Sequence, residues 1–389
     1  MDAAGSFAAG SPWDFHRKTG PLIRPPSGDL KWALTELDEG ETWLLKPVMK
    51  DGNPYLWTPG IKWGVLPGSR SHMTEFFGPV LSVISAEDLD EAIHLVNQTG
   101  YGLTSALESL DQREQDHWQK RVMAGNLYMN RSSTGAMVLR QPFGGMGKSA
   151  LGAGIKVGGP NYLAQFMVFD EMDFPRFGPL SRESSLLSVM QEWEIKLLWG
   201  RLKKWRVDLE KTVFGVRSCL YWMEEMFSKE MDYVNLRGQD NIFRYLPYDR
   251  VIVRVHERDS LFGVLVRVAA ARMAGCETGL SMEPGNRSHA VEFLSTPDGI
   301  RFLDGLVPRE QTDEELIRTL SSMPLIRYAA AQRVPGMVYE AVAESGCHVS
   351  HDPVLMEGRI EMIHYFHEQS LCNTYHRYGN LGERAFSRS

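Results

Sequence analysis

Three features of this chain hold residue types that could do chemistry. The first is Thr74-Glu-Phe-Phe-Gly-Pro-Val80, where Glu75 sits at the meeting of a loop and a coming strand. A carboxylate there can accept hydrogen bonds from the two hydroxyls of a ribose. Phe77, two residues on, can pack on a nicotinamide ring. The plain alternative is a surface acid beside a core aromatic, and on this stretch alone that alternative prevails. The second is the sulfur set, Cys219, Cys276, Cys347 and Cys372. Cys372 and His376 are four apart and would share a face on one helical turn. Incidental or buried thiols are commoner than activated ones, so no catalytic residue is assigned. The third is a glycine-rich region, Thr134-Gly-Ala136, Gln141-Pro-Phe-Gly-Gly145 and Gly158-Gly-Pro-Asn-Tyr162. The eleven histidines form no convincing helical His-x-x-x-His pair, and no metal site is expected.

The elements that must position these residues are legible from periodicity. Val80–Ile84 reads as a buried strand. Ser85 and Asp88 form a capping-box pattern ahead of Leu89, Ala92, Ile93 and Val96 at helical spacing. Leu103–Leu107 and Asn126–Met129 are further strands, with a polar helix over Asp111–Val122 between them. Such alternation, up to about Met167, implies a parallel α/β sheet. Pro, Gly, Ser and charge over Phe169–Ser185 mark a linker. Leu186 to about Val234 reads as helical, with Trp193, Trp199, Trp205 and Trp222 as an aromatic core stripe.

A second α/β unit follows. Arg250–Val255 is a strand, Ser260–Ala274 a helix closed by Gly275, and Thr278–Met282 the next strand. The intervening turn, His256-Glu-Arg-Asp-Ser260, has no glycine, whereas a dinucleotide turn needs glycines for close approach of the pyrophosphate. Glu257 and Asp259 are expected to repel phosphates there, with Arg258 offsetting some of that charge.

Composition closes off several classes. The 389 residues are 43% hydrophobic and 23% charged, as in a folded globular protein. With a net charge of −7 and one short basic patch, Arg201–Arg206, no nucleic-acid partner is expected. No apolar run reaches the ~20 residues of a transmembrane helix. The N-terminus lacks the basic and apolar regions of a secretory signal. Widely spaced cysteines fit a reducing cytoplasm.

Taken together, Glu75-Phe-Phe-Gly-Pro-Val80 and Pro142-Phe-Gly-Gly145, in this order and with α/β alternation between them, resemble the C-terminal half of the aldehyde dehydrogenase superfamily. Thr134-Gly-Ala136, Gln141–Gly145 and Gly158–Tyr162 narrow the likeness to L-glutamate γ-semialdehyde (pyrroline-carboxylate) dehydrogenases. Asn241-Ile-Phe-Arg-Tyr-Leu-Pro247 and Tyr375–Gly382 look like the C-terminal region of long proline utilization A proteins.

The resemblance implies an α/β fold in three parts. Residues 1–168 would be the rear half of the catalytic domain with its oligomerisation hairpin, 169–240 a linker and helical segment, and 241–389 a Rossmann-like domain with a tail. Glu75 and Phe77 would contact NAD, Gly135 and Ala136 the α-carboxylate of glutamate semialdehyde, and Phe143 its aliphatic part. Successive loop N–H groups suit such an anion. The family's cysteine nucleophile, activating glutamate, oxyanion-stabilising Asn and dinucleotide domain would lie upstream of the matched region. The chain is therefore expected to be inactive alone. Its partner would be that N-terminal half, possessed by a longer polypeptide or a separate chain, within a homo-oligomer. FAD would belong only to a fused proline dehydrogenase module. The alternative class is a non-catalytic interaction or regulatory protein that keeps the fold.

Overall fold

The computed structural model describes residues 2–150, 152–181, 183–320, 325–345 and 347–375. They fall into two units, one of 1–100 with 111–122, the other of 101–110 with 123–389.

In the first unit, α1 (Gly28–Thr35) precedes a three-stranded sheet of β1 (Thr42–Leu45), β2 (Gly60–Trp63) and β3 (Val80–Val83). β1 and β2 are antiparallel, β2 and β3 parallel. Helix α2 (Leu89–Gln98) begins as the pattern requires, but its cap lies three residues past the expected start. The Asp88 carboxylate accepts from Glu91 N at 2.8 Å, and Glu91 reaches back to Glu87 N. The buried face carries Ile93 and Leu95, and Val96 is exposed, so the apolar stripe is rotated from the expected one. The polar helix α3 (Gln112–Arg121) is capped by Asp111. It is tied to α2 through Asp90, which binds both His117 and Arg121.

The second unit holds two larger sheets. In the first, β4 (Thr104–Leu107), β5 (Asn126–Met129), β6 (Gln239–Pro247) and β12 (Phe366–Thr374) run in the order β4-β5-β12-β6. β12 lies parallel to β5 and antiparallel to all nine residues of β6. The other sheet comprises β7 (Arg250–Val255), β8 (Glu277–Met282), β9 (Arg309–Glu310), β10 (Leu325–Arg327) and β11 (His348–Ser350). All are parallel, in the order β9-β8-β7-β10-β11, the 3-2-1-4-5 sequence of a doubly wound dinucleotide fold.

Two long helices, α4 (Ser185–Leu198) and α5 (Arg206–Trp222), follow the irregular 167–184 segment. Regular helix ends with a wide turn at Met223–Phe227, short of the expected Val234. The tryptophan stripe is only partly core. Trp193 is fully buried against Phe293 and Phe302, whereas Trp199 is 76% exposed. Helix α6 (Leu261–Ala274) is capped by Ser260 and stopped by Gly275 at φ 89°, and is apolar nearly all round. Such a helix must be covered on every side, and residues Leu261–Ala271 are all buried. No helix of the described residues is long and apolar enough to cross a membrane.

Candidate functional site

The five expected contact residues divide between the units: Glu75 and Phe77 in the first, Gly135, Ala136 and Phe143 in the second. Each group is therefore described by itself.

In the first unit, a turn of helix over Arg70–Met73 delivers the chain into the loop at Thr74. Phe76 turns towards Trp32, with ring centroids 5.9 Å apart. Trp32 is itself held between the Lys62 ammonium, 3.9 Å from its centroid, and the Arg70 guanidinium at 4.4 Å. Lys62 is fully buried and paired with Glu41 at 3.2 Å. On this anchored base Phe77 takes the left-handed conformation, φ 52°, and is 81% exposed. That overturns the core-aromatic alternative. A non-glycine residue in this region costs on the order of 1–3 kcal/mol, and such strain concentrates at sites of function. Glu75 beside it is exposed and makes no hydrogen bond among the described residues.

In the second unit, β5 ends at Asn130, also left-handed at φ 56°, whose carboxamide oxygen accepts from Ser109 N at 3.0 Å. The loop 131–141 is closed by a two-way backbone bridge between Met137 and Gln141. Arg131 donates to Thr134 O at 2.9 Å, and the Tyr128 hydroxyl donates to Gly135 O at 2.7 Å. Gly135 adopts φ 103°, which a side chain would strain. With these carbonyls engaged, the N–H groups of Gly135 and Ala136 have no partner among the described residues, and both residues are exposed.

This loop is braced by Cys372, read above only as a thiol, and by Asn241 and Gln239, which the sequence reading gave no role at the site. Arg131 and Gln141 donate to Cys372 Sγ at 3.1 and 3.2 Å. Gln141 also donates to Asn241 Oδ1 at 3.0 Å, and Arg140 grips Gln239 Oε1 at 2.6 and 2.9 Å. The acceptors sit on β6 and β12, about a hundred and more than two hundred residues away in sequence. The available signal was the period of two in Phe243 and Tyr245 around Arg244, which puts Gln239 and Asn241 on the same, buried face of β6.

Below the loop, the Asn126 amide donates to Pro142 O at 2.9 Å and accepts from Gly144 N and Lys156 Nζ. Lys156 also donates to Gly144 O. Burial holds the Lys156 ammonium down to about 7, despite the opposing pull of Glu368. A lone lysine between Ile155 and Val157 in a glycine-flanked run was the missed signal for this buried cation. Phe143 forms a two-way bridge with Val157 at 2.9 and 3.0 Å. It borders a cavity of about 530 Å³ whose far wall includes His348 and His364. Burial keeps both imidazoles neutral, His348 down to about 4 and His364 well below its usual range.

The cysteines fare differently from the Cys372–His376 picture. Cys372 lies on strand β12, not a helix, and His376 lies outside the described residues. Burial raises its thiol although Arg131 pulls the other way. Cys219 is raised further, and Cys276 and Cys347 to about 12, in each case chiefly by burial. None is poised as a thiolate.

The glycine-free turn also departs from expectation. Asp259 is fully buried, and its carboxylate is bound by Arg267 and Arg333, so it is neutralised instead of repelling a phosphate. The amino end of α6 is occupied instead. Phe262 N donates to Asp208 Oδ1 at 3.2 Å, and Gly263 N to Ser260 Oγ at 3.0 Å. A pyrophosphate loses those N–H groups before charge is considered.

Residues 1–171 match the sequence profile described as the aldehyde dehydrogenase family. The matched segment makes up less than half of the chain. It includes every expected contact residue. The chain is 35% identical over 163 residues to the 1-pyrroline-5-carboxylate dehydrogenase of Bacillus subtilis, 42% of this chain and 31% of that one. Over 120 residues it is 41% identical to the Staphylococcus epidermidis enzyme of the same name, 30% of this chain and 22% of that one. The chain thus spans about a third or less of the length of these curated relatives. Among solved structures, proline utilization A (PutA) from Corynebacterium freiburgense matches 97% of this chain at a TM-score of 0.74 and 32% identity. That match takes in 34% of the PutA chain. The α/β fold is therefore shared well beyond the family segment.

Proposed function

We propose that this chain is the C-terminal part of an NAD-dependent L-glutamate γ-semialdehyde dehydrogenase, oxidising glutamate semialdehyde to glutamate in proline catabolism. The observation that carries this reading is the adjacent pair of unpartnered N–H groups at Gly135 and Ala136 on a braced loop. Such a pair is a receptor for a carboxylate, and the substrate offers one. Phe143 walls the aliphatic carbons. Glu75, with its acceptor oxygens free, fits the ribose hydroxyls, and the exposed ring of Phe77 fits the nicotinamide. NAD, when bound, takes up the hydride lost by the aldehyde carbon.

The thiolate, its activating glutamate, the oxyanion donors and the dinucleotide domain come from the N-terminal half, in a longer polypeptide or on a separate chain. Without them this chain is inactive, which accords with its four buried, protonated thiols. The complete enzyme is a cytoplasmic homo-oligomer, with FAD only in a fused proline dehydrogenase module. In the three-part division at 168 and 240, the last part is a lid that binds no dinucleotide; of the tail from Asn373, whose composition suits docking on another surface, Asn373 and Thr374 end β12 and residues 376–389 lie outside the described residues.

The test has two arms. The chain alone is expected to give no NADH from glutamate semialdehyde and NAD. In the complete enzyme, Glu75→Ala is expected to raise the KM for NAD on the order of tenfold to a hundredfold, for a charged acceptor worth ~1.5–3 kcal/mol. Phe143→Ala raises the KM for the aldehyde instead. Turnover by the chain alone that vanishes in Cys372→Ala would make the strand thiol catalytic and sink the proposal. Full-rate turnover by the complete enzyme in both variants would favour a non-catalytic, interaction role for this half.

A further inference from the structure

The turn between α4 and α5 carries features that the aldehyde chemistry does not use. Helix α4 packs inward through Leu186, Val189, Met190, Trp193 and Leu197. A helix with one buried stripe is expected to be polar on its other side. The carboxyl end of α4 is not. Ile195, Leu198 and Trp199, spaced i, i+3 and i+4, share one outward face, and they are 56%, 87% and 76% exposed. Gly200 follows at φ 71° and turns the chain towards α5. The Lys203 stem lies against that turn, 3.0 Å from where a Cβ on Gly200 would stand.

Charge singles out the same spot. The chain carries a net charge of −7, yet this turn leads into the basic run Arg201–Arg206. The carboxylates around it are already engaged: Glu192 by Arg301, Glu194 by Arg217, Glu210 by Arg206, Glu292 by Lys204 and Asp298 by Lys196. Arg201 and Lys203 are exposed and belong to no ion pair among the described residues. Two free cations therefore stand two and four residues past Trp199.

Together these parts narrow the partner. Cations alone would suit any polyanion, but the phosphates that dominate a nucleic-acid contact offer nothing to Ile195 and Leu198. A tryptophan at the end of an apolar face, with basic side chains beside it, suits the headgroup level of a bilayer. The ring and the leucine enter the acyl boundary, while the long basic side chains keep their charged ends at the phosphates. No helix of the described residues is long and apolar enough to cross a membrane, so the contact is with the surface.

We propose that the α4–α5 turn is a docking surface for an anionic lipid bilayer, entered by Leu198 and Trp199 and held by Arg201 and Lys203. It is independent of the aldehyde reading, because none of that reading's contact residues lies in this turn.

Sedimentation of the full chain with vesicles tests this. Vesicles of equimolar phosphatidylcholine and phosphatidylglycerol are expected to carry the chain down at low salt. Phosphatidylcholine alone should bind it at least about tenfold more weakly. Added salt should weaken the anionic binding steeply. Arg201→Gln combined with Lys203→Gln is expected to lose on the order of tenfold on the anionic vesicles. Leu198→Ser combined with Trp199→Ser should lose as much or more. Both pairs change exposed side chains, and an unchanged circular dichroism spectrum verifies the fold. Brominated lipid should quench part of the tryptophan emission, and Trp199→Phe, which keeps an apolar ring, should bind with that quenching gone. No binding to anionic vesicles, equal binding to neutral ones, or full binding by the folded Leu198→Ser, Trp199→Ser protein would overturn the proposal. So would quenching that Trp199→Phe leaves unchanged. Polyglutamate bound as tightly as the vesicles would overturn it too, making the turn a site for an acidic protein.

Discussion

The loops at Phe77 and at Gly135 both present a left-handed residue to solvent, yet they are held in opposite ways. At Phe77 the strained residue is a phenylalanine with its ring outside, and support comes from an aromatic contact, Phe76 on Trp32 of α1. At Gly135 the left-handed residue is a glycine, which bears no strain, and support comes from β6 and β12, far along the chain. The first loop stores the strain of a left-handed phenylalanine. The second spends distant contacts on keeping two N–H groups free. Preorganisation of a carboxylate receptor demands the second arrangement, since its donors must already be unpaired before the substrate arrives.

This contrast can be broken most forcefully at the base of the second loop. A Cβ on Gly125 would lie 1.9 Å from Gly144 O and 2.7 Å from Lys156 Nζ. Gly125→Ala should therefore lower stability by about 3 kcal/mol in urea unfolding, the upper range for overpacking against backbone. An unchanged midpoint would show that the base can relax and is no rigid platform.

A pH effect comes next. Lys156 ionises at about 7 in the fold against 10.5 for a free lysine. Between those values the unfolded chain holds the extra proton, so raising the pH favours the folded state, and below about 7 the effect is flat. Wild-type stability minus that of Lys156→Met should accordingly climb from pH 7 towards 10. Parallel pH profiles for the two proteins would place the ammonium in contact with water.

Smaller still, Arg131→Met removes donors to Cys372 Sγ and Thr134 O. A loss of about 1–2 kcal/mol is expected for such partly exposed bonds. Hydrogen exchange at Gly135 and Ala136 should quicken with it, and unchanged exchange would mean that the bracing is idle. The smallest effect has the opposite sign. Phe77→Gly releases the left-handed strain while losing an exposed ring, so the chain should gain about 0.5–1 kcal/mol. Destabilisation there would mean that the ring packs on something in the free protein.

Much of this protein was open to reading from residue order alone, and the readable parts share one property. Strand β5, the caps of α3 and α6, the Gly275 stop and the glycine-free turn depend on residues within a few positions of one another. Local sterics and local hydrogen bonds decide them. The strings Glu75–Val80 and Pro142–Gly145 likewise pointed to the family, because glycine-rich turns keep their backbone requirements wherever they fold.

The tertiary structure decided what local rules leave open. It placed β12 between β5 and β6, moving Cys372 from an imagined helix to a strand that braces the loop 131–141. It turned Asp259 from a repelling surface charge into the buried partner of Arg267 and Arg333. It left Trp199 in water, exposed Phe77 and lowered the proton affinity of Lys156. Each of these outcomes depends on which distant groups displace water from a side chain. Desolvation and charge pairing are set by three-dimensional neighbours, and no spacing along the chain encodes them directly.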